Sequence, residues 1–120
     1  MTETVINLLM PPSTNNLFLN AHGGAARRPR SPEYRAWAEA AGWSLASQRP
    51  RQVPGRVSLL IEVEEPKTKR RQDCTNRIKA VEDLLVDHGV IEGDDQRFVR
   101  EVTVRWADVT GVRISIRSCE

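Results

Sequence analysis

Cysteine is scarce in this chain. Its two cysteines, Cys74 and Cys119, lie far apart and match no metal-ligand spacing, so free thiols are expected rather than a disulfide framework or a thiolate zinc site. Histidine is as rare: His22 falls in a segment without periodicity, and His88 in the last turn of an expected helix, where a cation is favourable anyway. No nucleophilic triad is in view. No apolar run approaches the length of a membrane span, and the first residues lack the cationic start and apolar core of a secretory signal. The expectation is a cytoplasmic protein with no membrane partner. Repeats and low-complexity tracts are absent too.

What is present suits one globular domain over residues 1–120, with 39% hydrophobic and 28% charged residues. The net charge of +2 is modest, yet the cations are clustered. Arg27, Arg28 and Arg30 form one group, Arg49 and Arg51 a second, and Lys67, Lys69, Arg70 and Arg71 a third. Such groups can neutralise nucleic-acid phosphates, although a short charged run also suits a solvated loop.

The periodicities predict β, α, β, α, β, β. Residues 5–10 read as a strand ended by Pro11 and Pro12, and residues 20–30 as a basic loop. Ser31 caps a first helix with Pro32 in its first turn, and Tyr34, Trp37, Ala38, Ala41 and Leu45 form the apolar stripe to about residue 47. Trp37, Trp43 and Trp106 are expected in the core. Residues 57–64 alternate as a strand, and Ile78, Val81, Leu84 and Leu85 mark a helix from 76 to about 88, stopped by Gly89. Two last strands, carrying Val102, Val104 and Trp106 and then Val112, Ile114 and Ile116, flank a turn at 108–111 and are expected to form an antiparallel hairpin. The fold class is α/β (α+β): two helices on one side of a small four-stranded mixed sheet.

The stretch 69–95 joins a basic run, a lone acid, an amphipathic helix and an acidic turn. Asn76, Lys79 and Asp83 share the wet side of that helix, able to converge on Asp73 and Asp94 from the flanking loops. Asp73, Asp94 and Asp95 brought together would need a cation, and magnesium, with carboxylate, water and phosphate oxygens, suits phosphodiester hydrolysis. Lys67, Lys69, Arg70 and Arg71 could then hold the DNA backbone. Equally, Asp73 suits a helix cap, Asp94 and Asp95 a turn, and Lys79 with Asp83 an ordinary i, i+4 pair. Spacing alone leaves both readings open.

The run Asp73-Cys74-Thr75-Asn76-Arg77-Ile78-Lys79, followed by Asp83 and by Gly89 to Asp95, resembles the RusA family motif D-x-D-N-x-x-K with a later G-x-x-x-D-D. Pro11-Pro12-Ser13-Thr14-Asn15 is similar to that family's proline-rich opening. The resemblance implies a small dimeric α/β domain that acts as a magnesium-dependent endodeoxyribonuclease resolving Holliday junctions in recombination and repair. Its partners would be four-way or other branched DNA and a second copy of itself, and a prophage origin fits. On the residues that match, Asp73 and Asp94 become metal ligands, Thr75 and Asp95 weaker ones, and Lys79 steadies the phosphate or the attacking water. Arg27, Arg28, Arg30, Lys67, Lys69, Arg70, Arg71 and Asn76 would contact DNA.

Two positions depart from the pattern. An ungapped overlay sets Gly93 at the first late acid and Asp94 at the second, whereas a one-residue insertion would match Asp94 and Asp95 to the pair. The ungapped version keeps the spacing from Asp73 through Lys79, so Asp94 is the stronger ligand and Asp95 the reserve. Thr75 stands where the family has its second acid; its hydroxyl is a neutral oxygen that cannot act as a carboxylate base, although it suits a helix N-cap. Reduced metal affinity is expected, and the alternative is a non-catalytic junction-binding protein. Glu62 and Glu64, on the outward parity of the preceding strand, are the nearest candidates to replace the acid.

Overall fold

Apolar alternation organises the sheet, and the helices close over one side of it. The computed structural model describes residues 3–13, 31–68 and 71–119. In chain order these form β1 (Glu3–Leu8), α1 (Pro32–Gln48), β2 (Val57–Glu64), a 3-10 turn (Cys74–Arg77), α2 (Ile78–Asp87), β3 (Val99–Ala107) and β4 (Val112–Ser118). Ile6 and Leu8, Val57 to Val63 at alternate positions, and Val112, Ile114 and Ile116 point into one core with Tyr34, Trp37, Ala41 and Leu45 of α1 and Ala80, Val81, Leu84 and Leu85 of α2. Both helices therefore lie on one face of a four-stranded mixed sheet, the expected class. Among the described residues no helix is long and apolar enough to cross a membrane.

The sheet order is β1-β4-β2-β3, with β1 and β2 both antiparallel to β4 and β3 parallel to β2. The expected hairpin of β3 and β4 does not form, because β2 lies between them. Its Val57, Leu59, Ile61 and Val63 are all but inaccessible, and a strand so apolar is best placed in the sheet interior. Residues 108–111 instead arch over the end of β2. Four residues can reach about 13 Å, enough for the roughly 10 Å between alternate strands, so length alone could not separate an arch from a hairpin. Glu64 pins the arch twice: its N–H donates to the Gly111 carbonyl at 2.8 Å, and its Oε1 accepts the Gly111 N–H at 2.8 Å. Gly111 has φ +69°, and a Cβ there would strike the Leu8 carbonyl.

The Ser31 hydroxyl accepts the Tyr34 N–H at 3.1 Å, the expected cap of α1, and the helix ends within a residue of the expected place. Trp43 departs from expectation. It is 75% exposed, because it falls off the buried Tyr34–Trp37–Ala41–Leu45 stripe. Trp37 is buried and donates through Nε1 to the Leu9 carbonyl at 3.0 Å, while Trp106 is half-buried against the core. The start of α2 differs too: residues 74–77 wind as a 3-10 turn and the α-helix begins at Ile78.

Candidate active site

Past Pro66 the chain crosses from the end of β2 to the 3-10 turn, which packs beside β3 and leads straight into α2. Asp73 occupies the cap position of that turn, where its carbonyl accepts the Asn76 N–H at 3.1 Å; its carboxylate makes no cap bond and is exposed. Thr75 is exposed within the turn. It does not cap α2, which starts with no side-chain cap, so the expected capping role falls away.

Lys79, one turn further on, draws the acidic turn to the helix. Its Nζ lies 2.9 Å from Asp83 Oδ1 and 3.4 Å from Asp94 Oδ2. The hydrogen bond to Asp83 is the main reason the ammonium is held above its ordinary pKa, with Asp94 adding to it. Asp94 is thus fixed at the face of α2 that carries the motif. Asp95 turns elsewhere: Oδ1 accepts from the Arg97 N–H at 2.9 Å and from Nε at 3.0 Å, and Oδ2 accepts from Nη2 at 2.8 Å. This grip lowers the Asp95 pKa to about 2.

Gly93 bears on the same choice. A Cβ there would sit 2.6 Å from the Phe98 ring, so the position cannot take an acidic side chain without moving the aromatic. That crowding weighs against setting Gly93 at a family acid position, while Asp94 meets Lys79 and Asp95 is turned to Arg97.

The possible replacements for the acid missing at Thr75 are engaged elsewhere. Glu62 lies under Arg105 and Arg113 on the outer face of the sheet, with guanidinium contacts of 2.8 and 2.9 Å, and Glu64 holds the arch. Two further residues border the cluster. Burial pushes the Glu82 carboxyl above its ordinary pKa, and Asp94 adds to the rise, so Glu82 stands within the field of the cluster. Arg77 donates through Nη1 to the Pro11 carbonyl at 2.6 Å and through Nη2 to Gln72 Oε1 at 3.4 Å, which ties the segment after β1 to the motif turn. Nothing in the spacing marks Arg77, whose contacts depend on which segment the fold brings to the turn.

Among the described residues no three His, Cys, Asp or Glu side chains stand close enough to hold one metal ion. Asp73, Asp94 and Asp95 therefore do not form a ready cage. What is offered is the carboxylate of Asp94 against Lys79 and, on the motif turn, the exposed carboxylate of Asp73. That donor set fits magnesium, which takes one or two carboxylates and keeps its remaining positions for water and substrate phosphate. Lys67 and Arg71 are exposed, and Asn76 is half-buried in the turn. Arg27, Arg28, Arg30, Lys69 and Arg70 lie outside the described residues.

The family model for Endodeoxyribonuclease RusA matches residues 10–117. The chain belongs to the RusA family. That match spans the motif turn, α2, the acidic turn and all strands but β1, so the family assignment rests on nearly the whole domain rather than on the motif alone. The comparison with curated proteins gives no match. As a member of the RusA family, the chain is expected to have endodeoxyribonuclease activity.

Proposed function

We propose that this RusA-family chain is a magnesium-dependent, structure-selective endonuclease of four-way and related branched DNA, working in the cytoplasm as a homodimer of single domains. The observation that supports the reading is the Lys79 bridge, which ties Asp94 at 3.4 Å to the motif lysine of α2, the helix that follows the turn bearing the exposed Asp73. When bound there, magnesium would polarise the scissile phosphate and favour ionisation of the attacking water. Asp73 and Asp94 would hold it, with the Thr75 hydroxyl as a neutral further donor. Lys79 keeps Asp94 oriented and presents positive charge to a non-bridging phosphate oxygen. Lys67 and Arg71, with Lys69, Arg70, Arg27, Arg28 and Arg30, would hold the backbone on either side of the cut, and Asn76 would contact it at the turn. Two copies supply the two cuts that resolving a junction requires.

The second reading, a junction-binding protein without catalysis, is favoured by Thr75 alone. Labelled synthetic four-way junctions and linear duplex of the same sequence, incubated with magnesium, manganese or chelator, separate the two. Paired, symmetric, metal-dependent nicks in the junction are expected. Tight junction-selective binding with no cleavage in any metal would leave the second reading, and equal affinity for junction and duplex would sink both.

A further inference from the structure

The two edges of the sheet are treated differently. On β1 the outward N–H and C=O of Asn7 are both taken by one side chain: Gln48 Oε1 accepts the N–H at 2.9 Å, and Gln48 Nε2 donates to the carbonyl at 2.6 Å. That amide occupies the place a neighbouring strand would take. Among the described residues β3 has no such guard. It is the longest strand, nine residues, and contains neither proline nor lysine, and its ladder to β2 is regular after the shift between Val57 and Ser58.

The direction of each backbone group follows from the ladder. Glu65 N–H donates to the Ala107 carbonyl, so in this parallel pairing Ala107, Arg105, Thr103 and Glu101 turn their N–H and C=O towards β2. Val102, Val104 and Trp106 turn theirs outward, and no described residue bonds to them. Their side chains, on the helix side of the sheet, are only half-buried, whereas their counterparts on β2 and β4 are fully buried. Backbone and side chains both stop short of completion along the same line.

We propose that the free edge of β3 is where a second copy of this chain joins, antiparallel, about a two-fold axis at Thr103. This deepens the two-copy reading above and rests on it. The sequence of β3, Val-Arg-Glu-Val-Thr-Val-Arg-Trp-Ala, complements itself in that register. Glu101 falls opposite Arg105 of the second copy, Val102 opposite its Val104, Arg100 opposite its Trp106, and Thr103 opposite itself. Opposite charges and apolar pairs then meet directly across the seam. Parity agrees as well: Val102 and Val104, whose backbone groups face outward, become the hydrogen-bonded pair, and Thr103 the non-hydrogen-bonded one. The axis stands perpendicular to the joined sheet, so both helix layers lie on the same side. The motif turn packs beside β3 in each copy, which sets both candidate sites towards one DNA molecule.

Three variants test the seam. Thr103→Cys places two thiols at a non-hydrogen-bonded pair, where Cα atoms about 4.5 Å apart are within disulfide reach. Under mild oxidation it is expected to give a covalent dimer in high yield, whereas Ser115→Cys, on the same face but on β4, stays at the wild-type level. Val104→Pro removes an outward N–H that bonds no described residue, and Thr103→Lys sets like charges on the axis. Both are expected to convert wild type, at twice the 13.6 kDa chain mass by light scattering, into monomer while the far-ultraviolet circular dichroism is kept. Dimeric Thr103→Lys with no preferential cross-linking of Thr103→Cys would overturn the β3 seam, as would a monomeric wild type. Junction binding by the same samples keeps the functional reading separate: a dimer that survives both variants and binds junctions refutes the seam alone, whereas wild type without junction preference refutes the function.

Discussion

Asp94 and Asp95 are neighbours with opposite assignments, and replacing each by asparagine separates them. Asp94→Asn removes a carboxylate 3.4 Å from the Lys79 ammonium. At that distance the Coulomb energy is about 1 kcal/mol in water, and with side chains 46% and 36% exposed the pair is worth no more than that to the fold. Lys79 also keeps Asp83 at 2.9 Å, so it is not left stranded. The melting temperature should fall by no more than about 5 °C. Cleavage should fall far more. A metal ligand at the phosphate is worth several kcal/mol of transition-state stabilisation, and about 4 kcal/mol corresponds to roughly a thousandfold in rate. Asp95→Asn takes away the partner of Arg97, on a carboxylate directed away from Lys79, and should leave the rate within a few-fold of wild type. Single-turnover cleavage of a labelled junction at saturating magnesium reads both, with thermal unfolding alongside. An Asp95→Asn enzyme a thousandfold slower, or an Asp94→Asn enzyme that cuts normally, would refute the assignment.

Further outcomes follow from the same geometry. Thr75→Asp should lower the magnesium concentration needed for half-maximal cleavage, since it adds a carboxylate to the motif turn; an unchanged magnesium titration would argue that Thr75 lies away from the metal. Gly93→Ala should cost about 1–3 kcal/mol by forcing Phe98 aside, measured by denaturant unfolding. Hydrogen bonds from Arg105, then from Arg113, hold the Glu62 carboxyl below its ordinary value of 4.5, against burial that pushes it up. A carboxyl lowered in the folded state stabilises fully above 4.5 and loses that contribution as the pH falls through the lower folded value, so Glu62→Gln should flatten the acid limb of the stability curve.

The sequence carried the sheet face by face, because a period of two survives any strand order: Val112, Ile114 and Ile116 point inward as read, and Arg113, Ser115 and Arg117 outward. Strand order was less accessible. The four residues between β3 and β4 suit a hairpin and an arch equally, and what decides is the long-range demand of β2 for neighbours on both sides. The same division runs through the site. Lys79 with Asp83 is local, one helical turn, and was legible; that Lys79 also reaches Asp94 depends on how the chain returns after α2. Arg77 was illegible for the same reason, since its main partner is a carbonyl 66 residues away. Trp43 was misjudged because aromatic character outweighed its place off the stripe.

The charge arithmetic around α2 says where Thr75 should be felt. Asp73, Asp83 and Asp94 against Lys79 leave two net negative charges, enough to attract a divalent cation without a further acid. Asp83 is engaged by Lys79 at 2.9 Å, however, and Asp94 shares the same ammonium at 3.4 Å. In the metal-free protein Lys79 therefore occupies one oxygen of a carboxylate the cation would use, and the cation must compete with it. An acid at position 75 would offset that competition, whereas a threonine leaves it in place. On the proposed reading Thr75 would weaken the hold on magnesium more than it would alter the geometry around the phosphate. Saturating metal should recover most of the rate that low metal withholds.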